Sequence, residues 1–221
     1  MPSRLKLRYI LLALFFNCGT YFLIQKLVKT NSYDFLTEID SLIPFLPDYV
    51  WIYHSIIPAI FITMLAIVKT KQLFLTTFWT AIVGTCVLNF FYIFFPSFYP
   101  RDPFEVATIS EYLVQWTREI DGSNNTFPSA HVTFTWIMFW GMYYSDIARK
   151  TIGLKPLYLL WAIGVSLSTL VLKQHYIVDV FSGIFLATTT FYVVRYLVYK
   201  QHTQEKAHED SYRQKETQQS L

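Results

Sequence analysis

Six apolar segments, approximately residues 8–28, 49–68, 73–97, 129–148, 156–173 and 175–198, limit what this chain can fold into. Each is long enough, as a helix rising about 1.5 Å per residue, to cross roughly 30 Å of hydrocarbon. Composition agrees: 53% of the 221 residues are hydrophobic, 19% aromatic and only 15% charged. A soluble domain of this size could not easily hide so many Phe and Tyr rings, which suit helices facing lipid and its interfaces. The expected fold is therefore all-α, a polytopic membrane protein built as a six-transmembrane-helix bundle over residues 1–200. The start, MPSRLKLRYILLALFF, has the basic-then-apolar order of a signal peptide. No small-x-small cleavage site follows and the apolar run continues to about Val28, so it reads as an uncleaved first span. Cys18 and Cys86 lie in apolar runs and are most simply core residues. Residues 201–221 are polar without apolar periodicity and read as a disordered cytoplasmic tail.

Charge gives an orientation. With six spans both termini share one side, together with the loops near 69–72 and 149–155. That side carries 13 of the 18 Lys and Arg, whereas 10 of the 15 acids lie on the other. The positive-inside rule puts the termini in the cytoplasm, with Lys26 and Lys29 running weakly against it. A bacterial inner (cell) membrane is the expected location. The net charge of +3 is too small to argue for nucleic acid. The longest outward loop, about 98–128, contains EYLVQWTREI, in which Tyr112, Leu113, Trp116 and Ile120 would form one face of a short extracytoplasmic interfacial helix. Asn124-Asn125-Thr126 is a formal glycosylation sequon, relevant only in a eukaryotic secretory pathway.

The residues able to do chemistry gather at the outward ends of the spans. FPSFYPRDP puts Arg101 after the third. FPSAHVTF puts Pro128, Ser129 and His131 at the start of the fourth. KQHYIVDV puts Lys173, His175 and Asp179 at the junction of the fifth and sixth. His175 and Asp179 are four apart and share a face on a helix, so the carboxylate can accept from one imidazole nitrogen and leave the other free to attack. Pro128 in a first helical turn sacrifices no hydrogen bond, and unpaired N–H groups there favour phosphate. Ser129 adds a donor and His131 an acid. His54, alone on the second span, reads as structural.

PSAH followed by HYIVD resembles the second and third signatures of the type 2 phosphatidic acid phosphatase superfamily, P-S-G-H and S-R-x5-H-x3-D. The resemblance implies metal-free phosphoryl transfer. It makes His175 the nucleophile that becomes a phosphohistidine, Asp179 its orienting partner and His131 the general acid, with Ser129 and Arg101 as phosphate ligands. The chain departs from the pattern in places. Ala130 stands for the usual Gly, Thr169 for the Arg six residues before His175, and Phe94 for the Lys seven before Arg101; Asp102 intervenes before Pro103. Two usual cations are thus absent, and Lys173 is an additional candidate for phosphate binding. The stretch DSLIPFLPDYVWIY also resembles loops of the branch related to inositol-phosphorylceramide and sphingomyelin synthases, which transfers phospho-headgroups.

The reading is an integral membrane phosphatase acting on a lipid phosphate, phosphatidic acid-like or an isoprenoid diphosphate, at the outer leaflet. The alternative is transfer of a phospho-headgroup to a lipid or sugar hydroxyl. Partners are then the lipid phosphate and membrane lipids; no cofactor and no metal is expected, because no Cys, His and carboxylate cluster has ligand spacing. A non-enzymatic transporter predicts ionisable residues near span centres, whereas here they cluster at one end. An inactive scaffold is the third possibility, given the two absent cations.

Overall fold

The computed structural model describes residues 1–28 and 33–219, with residues 206–219 by backbone alone. Lys29 and the last two positions of the tail therefore lie outside the described residues. The helices are α1 (Ser3–Leu27), α2 (Glu38–Leu42), α3 (Val50–His54), α4 (Ile56–Phe61), α5 (Lys71–Phe94), α6 (Ile109–Asp121), α7 (Ala130–Tyr143), α8 (Asp146–Lys150), α9 (Leu154–Val171) and α10 (Ile177–Gln219). Among the described residues there is no strand, only isolated bridges joining Tyr33 to Ser97 and Phe98 to Asn124.

Among the described residues, five helical stretches are long and apolar enough to cross a membrane: α1, Pro47–Ile67, α5, α9 and Ile177–Glu205 of α10. The fourth expected span is shorter. Its helix, α7, has 14 residues, about 21 Å at 1.5 Å per residue. It sits in the middle of the bundle against α5, α9 and α10. Glycine allows part of that approach. A Cβ on Gly141 would stand 2.9 Å from the Thr77 hydroxyl of α5, and one on Gly183 of α10 would stand 2.9 Å from the Ser129 carbonyl oxygen. Helices in lipid gain little from hydrophobic attraction to each other, so such close backbone approach is a main source of cohesion.

The second span is not one regular helix. Pro58 has no N–H for the carbonyl four residues back, that of His54, and its ring crowds that oxygen. The chain accordingly breaks at Ser55 between α3 and α4. The break leaves Tyr53 and His54 at the end of a short turn, pointing into the bundle's interior.

At one end of the bundle the Lys6 ammonium bonds the Val68 carbonyl, and Gln72 meets His202 at 2.8 Å. The other end carries α2, α6 and the loops at 95–129 and 172–176. There α6 is started by a reciprocal cap: Glu111 N–H donates to the Thr108 hydroxyl, and the Glu111 carboxylate accepts from Thr108 N–H. Hydrogen bonds from Ala107 and Thr108 hold the Glu111 carboxyl below its usual range. Tyr112, Trp116 and Ile120 form an exposed face with Ile109, while Leu113 turns inward to pack with Val50 and Tyr53.

Two readings from sequence change. Cys18 and Cys86 lie on the outside of the bundle, not in its core, because an apolar run in a membrane helix can face outward as readily as inward. The stretch read as a disordered tail continues α10 as a helix to Gln219. That stretch contains no Gly or Pro and is rich in Gln, Glu and Lys, and extending a helix already formed avoids the nucleation cost.

Candidate active site

His175 does not sit on a helix, as the four-residue spacing had suggested, but in the turn ahead of one. The Thr169 carbonyl accepts both Gln174 N–H and His175 N–H, at 3.0 and 3.2 Å, and Lys173 takes a left-handed φ of 55°. Asp179 then lies in the first turn of α10. Its Oδ2 accepts Tyr176 N–H at 2.9 Å and faces His175 Nδ1 at 3.3 Å. One carboxylate oxygen thus caps the helix and holds the imidazole. Both side chains are buried. With the proton on Nδ1 the other ring nitrogen, Nε2, keeps its lone pair.

A second carboxylate supports the same helix start. Asp40 of α2 accepts Ile177 N–H at 2.8 Å, and two acids at a helix N-terminus complement its dipole. The sequence signal for this was the capping box TEID, in which Thr37 and Asp40 bond reciprocally.

Ser129 is the N-cap of α7, so Pro128 precedes the helix and is not in its first turn. The Ser129 hydroxyl accepts from Val132 N–H at 3.4 Å, which leaves its own O–H to donate. Its backbone N–H donates to the Asp179 carbonyl at 3.1 Å, which ties the start of α7 to the start of α10. His131, two residues on, stacks on Tyr53 with ring centroids 4.1 Å apart, and its Nδ1 lies 3.1 Å from the Tyr53 hydroxyl. His54 contacts the Thr117 hydroxyl at 2.9 Å and so joins α3 to α6.

His131 and His175 line one cavity of about 340 Å³ with Tyr53, Asp121 and Asn125. Asn125 is buried, adopts φ 63°, and has no hydrogen-bond partner on either amide atom. Away from this polar end the walls are apolar, with Leu14, Ile60, Met64, Phe78 and Met138. The lining follows α1 from Ile10 to Phe22, a distance of about 18 Å at 1.5 Å per residue. Phe22, Ile57, Trp116 and Ile120 belong to the lining yet are exposed, so the cavity opens sideways between α1 and the second span, beneath α6.

The two cations named from sequence are placed differently. Arg101 donates through Nη1 to the Arg118 carbonyl at 3.0 Å, and its Nε is buried without a partner. Burial lowers its pKa, and neighbouring Asp121 and Tyr53 act against that. Neither Arg101 nor Lys173 belongs to the lining of this cavity; the Lys173 ammonium donates to the Asp40 carbonyl at 3.1 Å. Arg118, which sequence reasoning passed over, donates to the Asp102 and Leu172 carbonyls at 2.9 and 3.2 Å. Its guanidinium also covers the Phe104 and Phe45 rings at 4.9 and 5.3 Å. Burial and then the Arg101 charge push its pKa down to about 10, so it remains a cation at neutral pH. Among the described residues no group of three or more His, Cys, Asp or Glu is arranged to hold a metal ion.

Long apolar helices around a polar, histidine-bearing end are those of an integral membrane protein. The PAP2 superfamily model matches residues 77–203, more than half of the chain, which therefore belongs to that superfamily. No curated protein and no solved structure matches it. The matched segment contains Arg101, Ser129, His131, Lys173, His175 and Asp179. Tyr53 and the apolar wall from α1 come from outside it.

Proposed function

We propose that the protein is a metal-independent lipid phosphatase that works through a phosphohistidine on His175. The observation that carries the reading is the position of the histidine pair at the polar end of an apolar cavity open to the side. A phosphate seated among Arg101, the Ser129 hydroxyl and the first N–H groups of α7 would leave its hydrocarbon chain in that cavity.

The steps balance. His175 Nε2 attacks phosphorus, the P–N bond forms and the P–O bond to the lipid breaks. His131 gives the leaving oxygen its proton. Water then attacks phosphorus, His131 takes a proton from it, the P–N bond breaks and phosphate departs. The charge rule supports cytoplasmic termini and a site on the extracytoplasmic side; a bacterial cell membrane is part of the proposal. Lipid phosphate and bilayer lipids are the partners this reading requires.

The test is turnover of dodecyl phosphate by detergent-purified protein, with and without EDTA. Activity is expected to survive the chelator, to vanish in His175→Ala and to fall about 10⁴-fold in Asp179→Asn, as in a triad whose orienting Asp is neutralised. Loss with EDTA that an added divalent ion restores would refute metal independence.

A further inference from the structure

Asp179 orients His175, but His131 has no carboxylate of its own within the matched segment's signatures. Its Nδ1 is instead directed at a buried phenol, the Tyr53 hydroxyl at 3.1 Å, and the two rings stack. Tyr53 is fully buried. A phenol enclosed in this way needs a partner for its own proton. The Asp121 carboxylate, at the last position of α6, lines the same cavity as Tyr53 and His131. It is held there from α1: the Tyr21 hydroxyl donates to Asp121 Oδ1 at 2.6 Å, and Gln25 bonds the Asp121 carbonyl. That leaves the second carboxylate oxygen for Tyr53.

We propose that Asp121 and Tyr53 are positioning residues for His131, forming a second orienting chain that matches the one from Asp179 to His175. His131 Nδ1–H donates to the Tyr53 oxygen and the Tyr53 O–H donates to Asp121. This fixes the tautomer, so that Nε2 faces the substrate and exchanges the proton that the leaving oxygen needs. The imidazolium present before transfer is stabilised through the phenol by the carboxylate. The chain is built from three parts of the fold: the interrupted second span supplies Tyr53, α6 supplies Asp121 and α7 supplies His131. The Pro58 break puts Tyr53 within reach.

This inference rests on His131 serving as the general acid, and leaving-group chemistry tests it. An alkyl phosphate needs a proton on its departing oxygen, whereas p-nitrophenolate leaves without one. Tyr53→Phe and Asp121→Asn are expected to lower kcat on dodecyl phosphate by about 10²-fold, the lower range for general acid catalysis. Both variants should keep the rate of the p-nitrophenol burst from p-nitrophenyl phosphate within about threefold of wild type, since cleavage of that P–O bond needs no proton, whereas the water attack that follows still uses His131. In a His131→Ala background Tyr53→Phe should cost nothing more, because groups that act as a unit are not additive. Tyr21→Phe, which removes only the clasp from α1, should affect both substrates alike.

Equal losses in dodecyl phosphate turnover and in the p-nitrophenol burst for Tyr53→Phe and Asp121→Asn would assign the pair a structural role and overturn the proposal, as would unchanged values of both. Full turnover by His175→Ala would overturn the phosphohistidine reading instead. That outcome is separable, because it concerns a different residue and both substrates.

Discussion

At the scale of single residues, the cation inventory separates what spacing reveals from what it hides. The His175–Asp179 contact was legible because both residues lie on one short segment, and four positions suffice to bring the groups together whether the first is on the helix or just before it. The position of Lys173 was not. Its φ of 55° follows from the turn closed on the Thr169 carbonyl, and that turn sends the ammonium to α2. On the proposed function, Arg101 would then bear more of the phosphate's charge. Arg101→Gln is expected to lower turnover by about 10²-fold, the cost of removing one preorganised donor from a developing charge. Lys173→Asn should cost less than about tenfold, or roughly 1.4 kcal/mol. Asn tolerates the left-handed backbone, so this variant isolates the charge. Steady-state kinetics on dodecyl phosphate check both, and a larger loss for Lys173→Asn would reverse the ranking.

At the scale of elements, the site depends on how closely α7 and α10 approach. Ser129 N–H bonds the Asp179 carbonyl, and Gly183 leaves no side chain between the two helices. Gly183→Ala would put a methyl 2.9 Å from the Ser129 oxygen. Backbone cannot yield as a side chain tip can, so a stability loss of about 1–3 kcal/mol is expected, with separation of Ser129 from Asp179. Gly19→Ala is the control, because nothing lies within 4 Å of a Cβ there. Thermal unfolding in detergent and turnover should both fall in Gly183→Ala and hold in Gly19→Ala. The apolar segments themselves were readable from the sequence to within a few residues. The interruption of the second span was not read, although Pro58 announces it. The short α7 was hidden because the apolar run continues through Tyr144 into α8. Tyr53 and Asp121 gave no local signal, since their partner His131 is 78 positions from Tyr53, and only packing brings them together.

At the scale of the whole molecule, one end of the bundle is basic and the other carries the chemistry. In a background without Cys18 and Cys86, a membrane-impermeant thiol reagent should label Glu119→Cys on α6 in intact cells. Lys150→Cys in the α7–α9 connection should react only after lysis. The reverse pattern would invert the orientation drawn from charge. The lateral opening explains why α1 and the second span, which lie outside the matched segment, still form part of the site. They supply the apolar wall and Tyr53, while the matched segment supplies the histidines.

The central claim is a covalent bond between phosphorus and His175. Enzyme turning over dodecyl phosphate, quenched under alkaline conditions and digested, should carry a phosphoryl group on the peptide containing His175. Mild acid should remove it, as expected for a phosphoramidate and not for a serine ester. His131→Ala, slowed in water attack, should accumulate more of it from p-nitrophenyl phosphate. A phosphoryl group found on another residue, or none in a His131→Ala protein that still releases p-nitrophenol in a burst, would contradict the account.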